Sequence, residues 1–156
     1  VLDTRKTTPG IRAIEKWAVA IGGGVNHRFG LYDMILIKDN HIDYAGGIAA
    51  AIQSTQTYLK AHQKRLKIEI EVRDENELQQ VLAIGGVDRI MLDNFTPDAI
   101  KKVLPLIPSQ YETEASGGIT IENIRSYAET GVDFISSGAL THSVKAMDLS
   151  LKAKFN

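Results

Sequence analysis

Ile68-Glu69-Ile70-Glu71-Val72, then Asp74-Glu75-Asn76-Glu77-Leu78, then Arg89-Ile90-Met91-Leu92-Asp93, form one complete structural unit within the chain. The first run alternates apolar and acidic residues and reads as a strand. Asp74, with Glu77 three residues on, is a capping-box-like helix start. Leu78, Val81 and Leu82 continue that helix to Gly85-Gly86, and a second strand follows over Arg89–Asp93. Strand, helix and strand in so few residues predict a parallel pair joined by a crossover helix.

The same unit recurs outward in both directions. Toward the C-terminus, Thr96-Pro97 pairs a cap with a proline at the first helical position. Strands are predicted over Tyr111–Ala115, leading into Ser116-Gly117-Gly118, and over Val132–Ser136, leading into Ser137-Gly138. Thr120, Ile121, Ile124 and Ala128 make the helix between them, closed by Gly131. Toward the N-terminus, Met34–Lys38 is a strand, and Ile48, Ile52, Thr55 and Leu59 mark its helix. Val1–Lys6 is the first strand, and Thr8-Pro9 opens a helix whose period runs through Ile11, Ile14, Trp17, Ala18 and Ile21 to Gly22. Residues 145–156 alternate too weakly for an assignment.

Six such units imply an α/β protein. Glu71, Asp93, Ala115 and Ser137 recur every 22 residues near strand ends (93 − 71, 115 − 93, 137 − 115). So short a period favours an incomplete parallel (β/α) barrel of about six strands over an open doubly wound sheet, since an eight-unit barrel needs about 250 residues. The 156 residues then form one domain, 1–156. A closed seam between first and sixth strands is not dictated by this pattern, and the first strand is an exposed edge unless something covers it.

Composition narrows the function. With 44% hydrophobic and 24% charged residues and a net charge of −1, no global field attracts nucleic acid or an anionic membrane, so an anion site must be built locally. There are no cysteines, which excludes disulfides and thiolate metal sites and fits a reducing cytoplasm. No apolar run approaches membrane-span length. Gly22-Gly23-Gly24 has the spacing of neither a dinucleotide-binding fingerprint nor a P-loop. Val1-Leu2-Asp3 reads as a strand already under way, so a longer parent protein is expected.

In barrels the C-terminal strand ends and the loops after them form the active face. Here those ends are Arg5-Lys6, Lys38, Glu71, Asp93, Ser116-Gly117-Gly118 and Ser137-Gly138, with His27-Arg28 in a loop between the first two strands. Arginine and lysine suit a ligand bearing carboxylates. Glycine turns opening into helices suit a phosphate. Facing carboxylates suit sugar hydroxyls or a Mg²⁺ carrying diphosphate. Arg5, Arg28, Lys38, Glu71 and Asp93 are therefore expected to line one cavity. Plainer readings exist for each alone. Lys6 or Lys38 can be a snorkelling surface side chain, Asp93 a turn former, and Ser116-Gly117-Gly118 a simple helix entry. Glu69 is taken as the outward-facing partner of Glu71, and Lys60, Lys64, Arg65 and Lys67 as a solvated face.

The stretches Asp3–Gly10, Gly22-Gly23-Gly24 with His27-Arg28, Leu36–His41, Glu69–Val72, Met91–Asn94, Glu114–Ile119 and Ser137–Ser143 resemble, in order, the quinolinate phosphoribosyltransferase family. The resemblance implies transfer of a phosphoribosyl group from phosphoribosyl pyrophosphate to quinolinate with Mg²⁺ and decarboxylation, giving nicotinate mononucleotide for NAD synthesis. It implies that Thr4, Arg5, His27, Arg28 and Lys38 surround the quinolinate carboxylates and that Lys6 binds phosphoribosyl pyrophosphate. It further implies that Glu71 and Asp93 hold ribose or Mg²⁺, and that Ser116, Gly117, Gly118, Ser137, Gly138 and Ala139 cradle phosphate. The family's N-terminal sandwich domain has no counterpart here; in the family dimer, that domain of the partner completes the quinolinate site. Two other readings suit the same residues: a Schiff-base aldolase barrel with Lys38 as nucleophile, and a non-catalytic barrel.

Overall fold

The computed structural model describes residues 1–154. Five parallel strands lie side by side in chain order: β1 (Ile35–Ile37), β2 (Ile68–Val72), β3 (Arg89–Asp93), β4 (Glu112–Ser116) and β5 (Phe134–Ile135). The helices between them are α2 (Asp39–Ala45), α3 (Ile48–Ala61), α4 (Glu75–Ile84), α5 (Pro97–Val103) and α6 (Ile124–Ala128). Helix α1 (Arg12–Ile21) precedes the sheet and α7 (Ala139–His142) follows it. The architecture is an open, incomplete α/β barrel.

The first predicted strand, Val1–Lys6, is reduced to a single point. Leu2 makes parallel bridges to Ser136 on one side and Val25 on the other. Its N–H donates to the Ile135 carbonyl at 2.7 Å, and its carbonyl accepts from Ser137 N at 3.0 Å. The first segment thus closes on the last strand. The seam that stays open lies between the Val25 segment and β1, crossed by Arg28 Nη1 donating to the Met34 carbonyl at 3.2 Å. Val1–Lys6 carries too few ladder bonds to be a strand, because Arg5 and Lys6 already turn into the cavity.

Strand alternation sorts the side chains. Ile37, Ile70, Val72, Ile90, Leu92, Ala115 and Ile135 face the helices and pack with Ile52, Leu78, Val81 and Ile100. Cutting a fully buried member such as Ile90 to Ala costs about 2–5 kcal/mol. The opposite face carries Leu36, Glu69, Glu71, Arg89, Met91, Asp93, Glu114 and Ser116. Residues two apart on a strand share a face. Glu69 therefore points inward with Glu71, is fully buried, and is not its outward partner.

The caps follow the sequence with one exception. Asp74 accepts from Glu77 N, and Thr96 accepts from Ala99 N with Pro97 at the first helical position. Helix α1 instead begins at Arg12, and Thr8 N–H donates to the Glu15 carboxylate. Its apolar stripe also turns the other way: Trp17 is 67% exposed and Ile14 and Ile21 face solvent, whereas Lys16 is 1% exposed. Helix α2, which the sequence pattern did not suggest, is seven residues long and is capped by His41, whose Nδ1 accepts from Lys38 N at 3.0 Å. Lys60, Lys64, Arg65 and Lys67 are exposed, and residues 145–154 adopt no helix or strand. The last two positions of the unassigned 145–156 segment lie outside the described residues.

Candidate active site

One cavity of about 640 Å³ opens at the C-terminal end of the sheet. Thr4, Arg5, Lys6, His27, Arg28 and Lys38 form one wall, and Glu71 and Asp93 the next. Ser116, Gly117 and Gly118, with Gly138 and Ala139, complete the ring. The segregation by charge expected from the strand ends is therefore present in space. Ser137 is the exception. Its hydroxyl donates to the Ile119 carbonyl at 2.6 Å and its N–H to Leu2, so it has turned out of the cavity. Ser136, one residue earlier, lines it instead.

On the cationic wall, Arg5 Nε is buried without a hydrogen-bond partner. Burial and the neighbouring Arg5 charge lower the Arg28 pKa from its usual value, yet a guanidinium does not give up its proton in proteins. Two like charges held together with an unused buried donor are costly unless an anion joins them.

At the mouth, Lys38 Nζ lies 2.5 Å from Glu71 Oε2. Burial, then the Glu71 charge, raises the Asp93 pKa. Asp93 accepts from the Asn94 amide at 2.6 Å. Asn94 has a positive φ of 57°, and its N–H donates to the Ser116 carbonyl, joining the ends of β3 and β4. Gly117 passes so close that a Cβ there would sit 2.2 Å from Asn94 Oδ1, and its φ of +100° also calls for glycine. At Gly138 a Cβ would meet His142 Nε2 at 2.7 Å. Thr141 donates to the Lys6 carbonyl at 2.8 Å, tying α7 to the Thr4–Lys6 segment.

The floor is different. His27 Nδ1 accepts from Arg28 N at 2.7 Å, which leaves the ring proton on Nε2. Nε2 lies 2.9 Å from Glu69 Oε2 and 3.6 Å from Glu114 Oε2, but not along a hydrogen-bond direction. Burial, helped by the charges of Arg89 and Arg28 and opposed by that of Glu114, lowers the His27 pKa, which favours the neutral ring over the cation its position in the sequence suggests. Burial and the Glu69 charge push Glu114 up to about 7, and burial raises Glu69 as well. Arg89 Nη1 holds Glu114 at 2.9 Å, while its Nε and Nη2 hold Glu112. The His27, Glu69 and Glu114 ligating atoms lie within 4.8 Å of one another. Arg89 already supplies the positive charge a metal would bring.

Glu114 and Ser136 are site residues that the strand-end survey passed over. Alternation contains the signal for both, since each lies two residues from a neighbour on the inner face. His41 is a helix cap and lines a separate groove, not this cavity.

Residues 1–152 match the family model described as quinolinate phosphoribosyl transferase, C-terminal domain. The chain belongs to that family. It is 48% identical to the Arabidopsis thaliana nicotinate-nucleotide pyrophosphorylase [carboxylating], chloroplastic, over 97% of this chain and 48% of the relative. It is 49% identical to a probable nicotinate-nucleotide pyrophosphorylase [carboxylating] of Bacillus subtilis (strain 168), over 97% of this chain and 51% of the relative. The solved nicotinate-nucleotide pyrophosphorylase from Francisella tularensis superposes with a TM-score of 0.88 at 46% identity, covering 96% of this chain and 51% of that one. The chain thus spans about half the length of these quinolinate phosphoribosyl transferase relatives.

Proposed function

We propose that this chain is the barrel portion of a decarboxylating quinolinate phosphoribosyltransferase, a pentosyltransferase of NAD synthesis. The observation that carries the reading is the shared cavity: Arg5, Arg28 and Lys38 on one wall, Glu71 and Asp93 on the next, and glycine turns beyond. A planar dicarboxylate would satisfy the cations, with Thr4 and the neutral His27 at its edge. Lys6, Ser116 to Gly118, and Gly138 with Ala139 would hold the phosphates of phosphoribosyl pyrophosphate.

In this reading the pyridine nitrogen forms a bond to ribose C1 as diphosphate leaves. Glu71 and Asp93 offset the positive charge that develops on the sugar. The ring nitrogen, now cationic, stabilises the electron pair left on the adjacent carbon when carbon dioxide departs, and that carbon then takes a proton from solvent to give the product. No side chain need act as a general base; the protein orients and neutralises. Glu71 and Asp93, acidic groups at an open cavity, fit the donor set of Mg²⁺ shared with substrate oxygens, and the ion would neutralise diphosphate as it leaves. Lys38 Nζ is engaged 2.5 Å from Glu71 Oε2 and is not aimed unpaired into the cavity, which disfavours the Schiff-base reading.

We further propose a homodimer in which an N-terminal domain of the partner completes the quinolinate site, acting in the cytoplasm. The solvent-facing Ile14, Trp17 and Ile21 of α1 support an intersubunit contact, since exposed apolar patches mark such surfaces. No described helix is long and apolar enough to cross a membrane. The test is to mix quinolinate, phosphoribosyl pyrophosphate and Mg²⁺ with the full-length protein. Stoichiometric carbon dioxide, diphosphate and nicotinate mononucleotide are expected; their absence would overturn the proposal and favour the non-catalytic barrel.

A further inference from the structure

Lys16 is the only buried residue of α1, and it is charged. Its ammonium lies 2.5 Å from Asp3 Oδ1 and donates to the His27 carbonyl at 2.9 Å. The same Asp3 oxygen accepts from His27 N at 2.8 Å. The Asn26 amide, oriented to satisfy its neighbours, donates to Asp3 Oδ2 at 2.7 Å and to the Lys16 carbonyl at 2.9 Å. Asp3 N–H in turn donates to the Val25 carbonyl at 3.1 Å. Both peptide groups of His27, its N–H and its C=O, are thus fixed by one buried ion pair.

The placement of that pair is specific. Asp3 directly precedes Thr4 and Arg5, and His27 directly precedes Arg28. These are the two segments that bring cations to the cavity, and only the single Leu2–Val25 bridge links them as a ladder. A buried ion pair is a poor device for stability alone, because an apolar pair of similar size serves as well or better. Its hydrogen bonds, unlike an apolar contact, fix direction and register.

We propose that Asp3 and Lys16 are positioning residues that set the spacing of Arg5 against His27 and Arg28, and through it the affinity for the aromatic dicarboxylate. The inference rests on the quinolinate reading for its ligand, but the clamp itself is read from this chain. Neither Asp3 nor Lys16 lines the cavity; the pair reaches it through the backbone of His27. Its effect falls on the wall formed by Arg5 and Arg28 and spares the wall formed by Glu71 and Asp93.

Two double variants separate positioning from mere stability. Asp3→Leu with Lys16→Met removes both charges and both hydrogen-bonding ends. Asp3→Asn with Lys16→Gln removes the charges but keeps an acceptor for His27 N–H and a donor for its carbonyl. The first leaves the His27 N–H and C=O without partners, so its melting temperature falls, and below that temperature the calorimetric Kd for quinolinate is expected to rise up to about 100-fold, the scale of a 1 Å misplacement. The Kd for phosphoribosyl pyrophosphate should move little. The second is expected to restore quinolinate binding. Full quinolinate affinity in the Leu/Met variant, an equal loss for both ligands, or no rescue by Asn/Gln would overturn the proposal. If the parent chain binds no quinolinate, the substrate reading fails and the clamp is judged by amide exchange. His27 N–H must then exchange at least about tenfold faster in the Leu/Met variant and remain protected in the Asn/Gln variant; unchanged protection in the former would refute it.

Discussion

Glu69 and Glu71 are two residues apart on β2, face the same side of the sheet, and have opposite circumstances. Glu71 lies at the mouth of the cavity with the Lys38 ammonium 2.5 Å away. Glu69 lies one rung deeper, fully buried, with both carboxylate oxygens lacking a hydrogen-bond partner. At the mouth a carboxylate is a working charge, paired with a cation and open to ligand. On the floor two carboxylates face one neutral imidazole N–H and share the Arg89 charge with Glu112. Depth along the strand therefore separates a carboxylate paired with a cation at the cavity from one whose pKa burial raises.

Removing the cation at the mouth should produce the largest effect. On the proposed function, Lys38→Ala takes away a donor to substrate, and it leaves Glu71 without its ion-pair partner. Turnover in the full-length enzyme should fall by about 10²–10³-fold, the scale of losing one preorganised electrostatic contact. Near-normal kinetics would remove Lys38 from the site. Glu71→Ala should come next, weakening use of phosphoribosyl pyrophosphate more than quinolinate binding. Steady-state kinetics with each substrate varied would show the split, and equal losses would argue against the division into two walls.

The floor predicts a pH dependence instead. The Glu114 pKa is raised to about 7 by burial and by Glu69, so below that value the group is neutral and above it adds negative charge beneath a dianionic ligand. Quinolinate affinity should decline as pH rises through about 7, and Glu114→Gln should flatten that decline. The sign for stability is the same. A carboxyl whose pKa is raised by folding contributes fully below its ordinary value, and that contribution is lost as pH climbs through the folded value. Quinolinate Kd and melting temperature, each against pH with parent beside variant, check the two; an unchanged slope in the variant would place the titration elsewhere.

The smallest effect belongs to the surface. Lys67 reaches Glu112 at 2.8 Å with more than half of its side chain exposed. Lys67→Ala should change stability by no more than about 0.5 kcal/mol and leave both ligands' affinities unaltered. A large loss would mean that Glu112 needs Lys67 to hold Arg89 in place, extending the floor to the protein surface.

Strand rhythm made much of this legible in advance. The 22-residue recurrence locates Glu71 and Asp93, and the glycine turns mark where backbone comes close enough to exclude a side chain. Parity was harder. The strand ends put Glu69 outside and Ser137 at the cavity; alternation instead puts Glu69 inward, separate from Ile70, and Ser136 at the cavity, separate from Ser137. Helix α1 exposes a deeper limit. Its helical period was plain, but periodicity reveals a stripe without saying whether the fold or a partner covers it. Lys16 sits on the other side of that stripe, and only the tertiary contact with Asp3 explains why a lysine is buried. The single-bridge first strand was likewise out of reach, because the outcome depends on how soon Arg5 and Lys6 leave the ladder for the cavity.

A crystal structure of the protein with quinolinate tests the central claim most directly. The account predicts both carboxylates within hydrogen-bond distance of Arg5, Arg28 and Lys38, with the ring nitrogen directed toward Glu71 and Asp93. Density for the ligand elsewhere, or a carboxylate turned toward the Glu69–Glu114 floor, would contradict it.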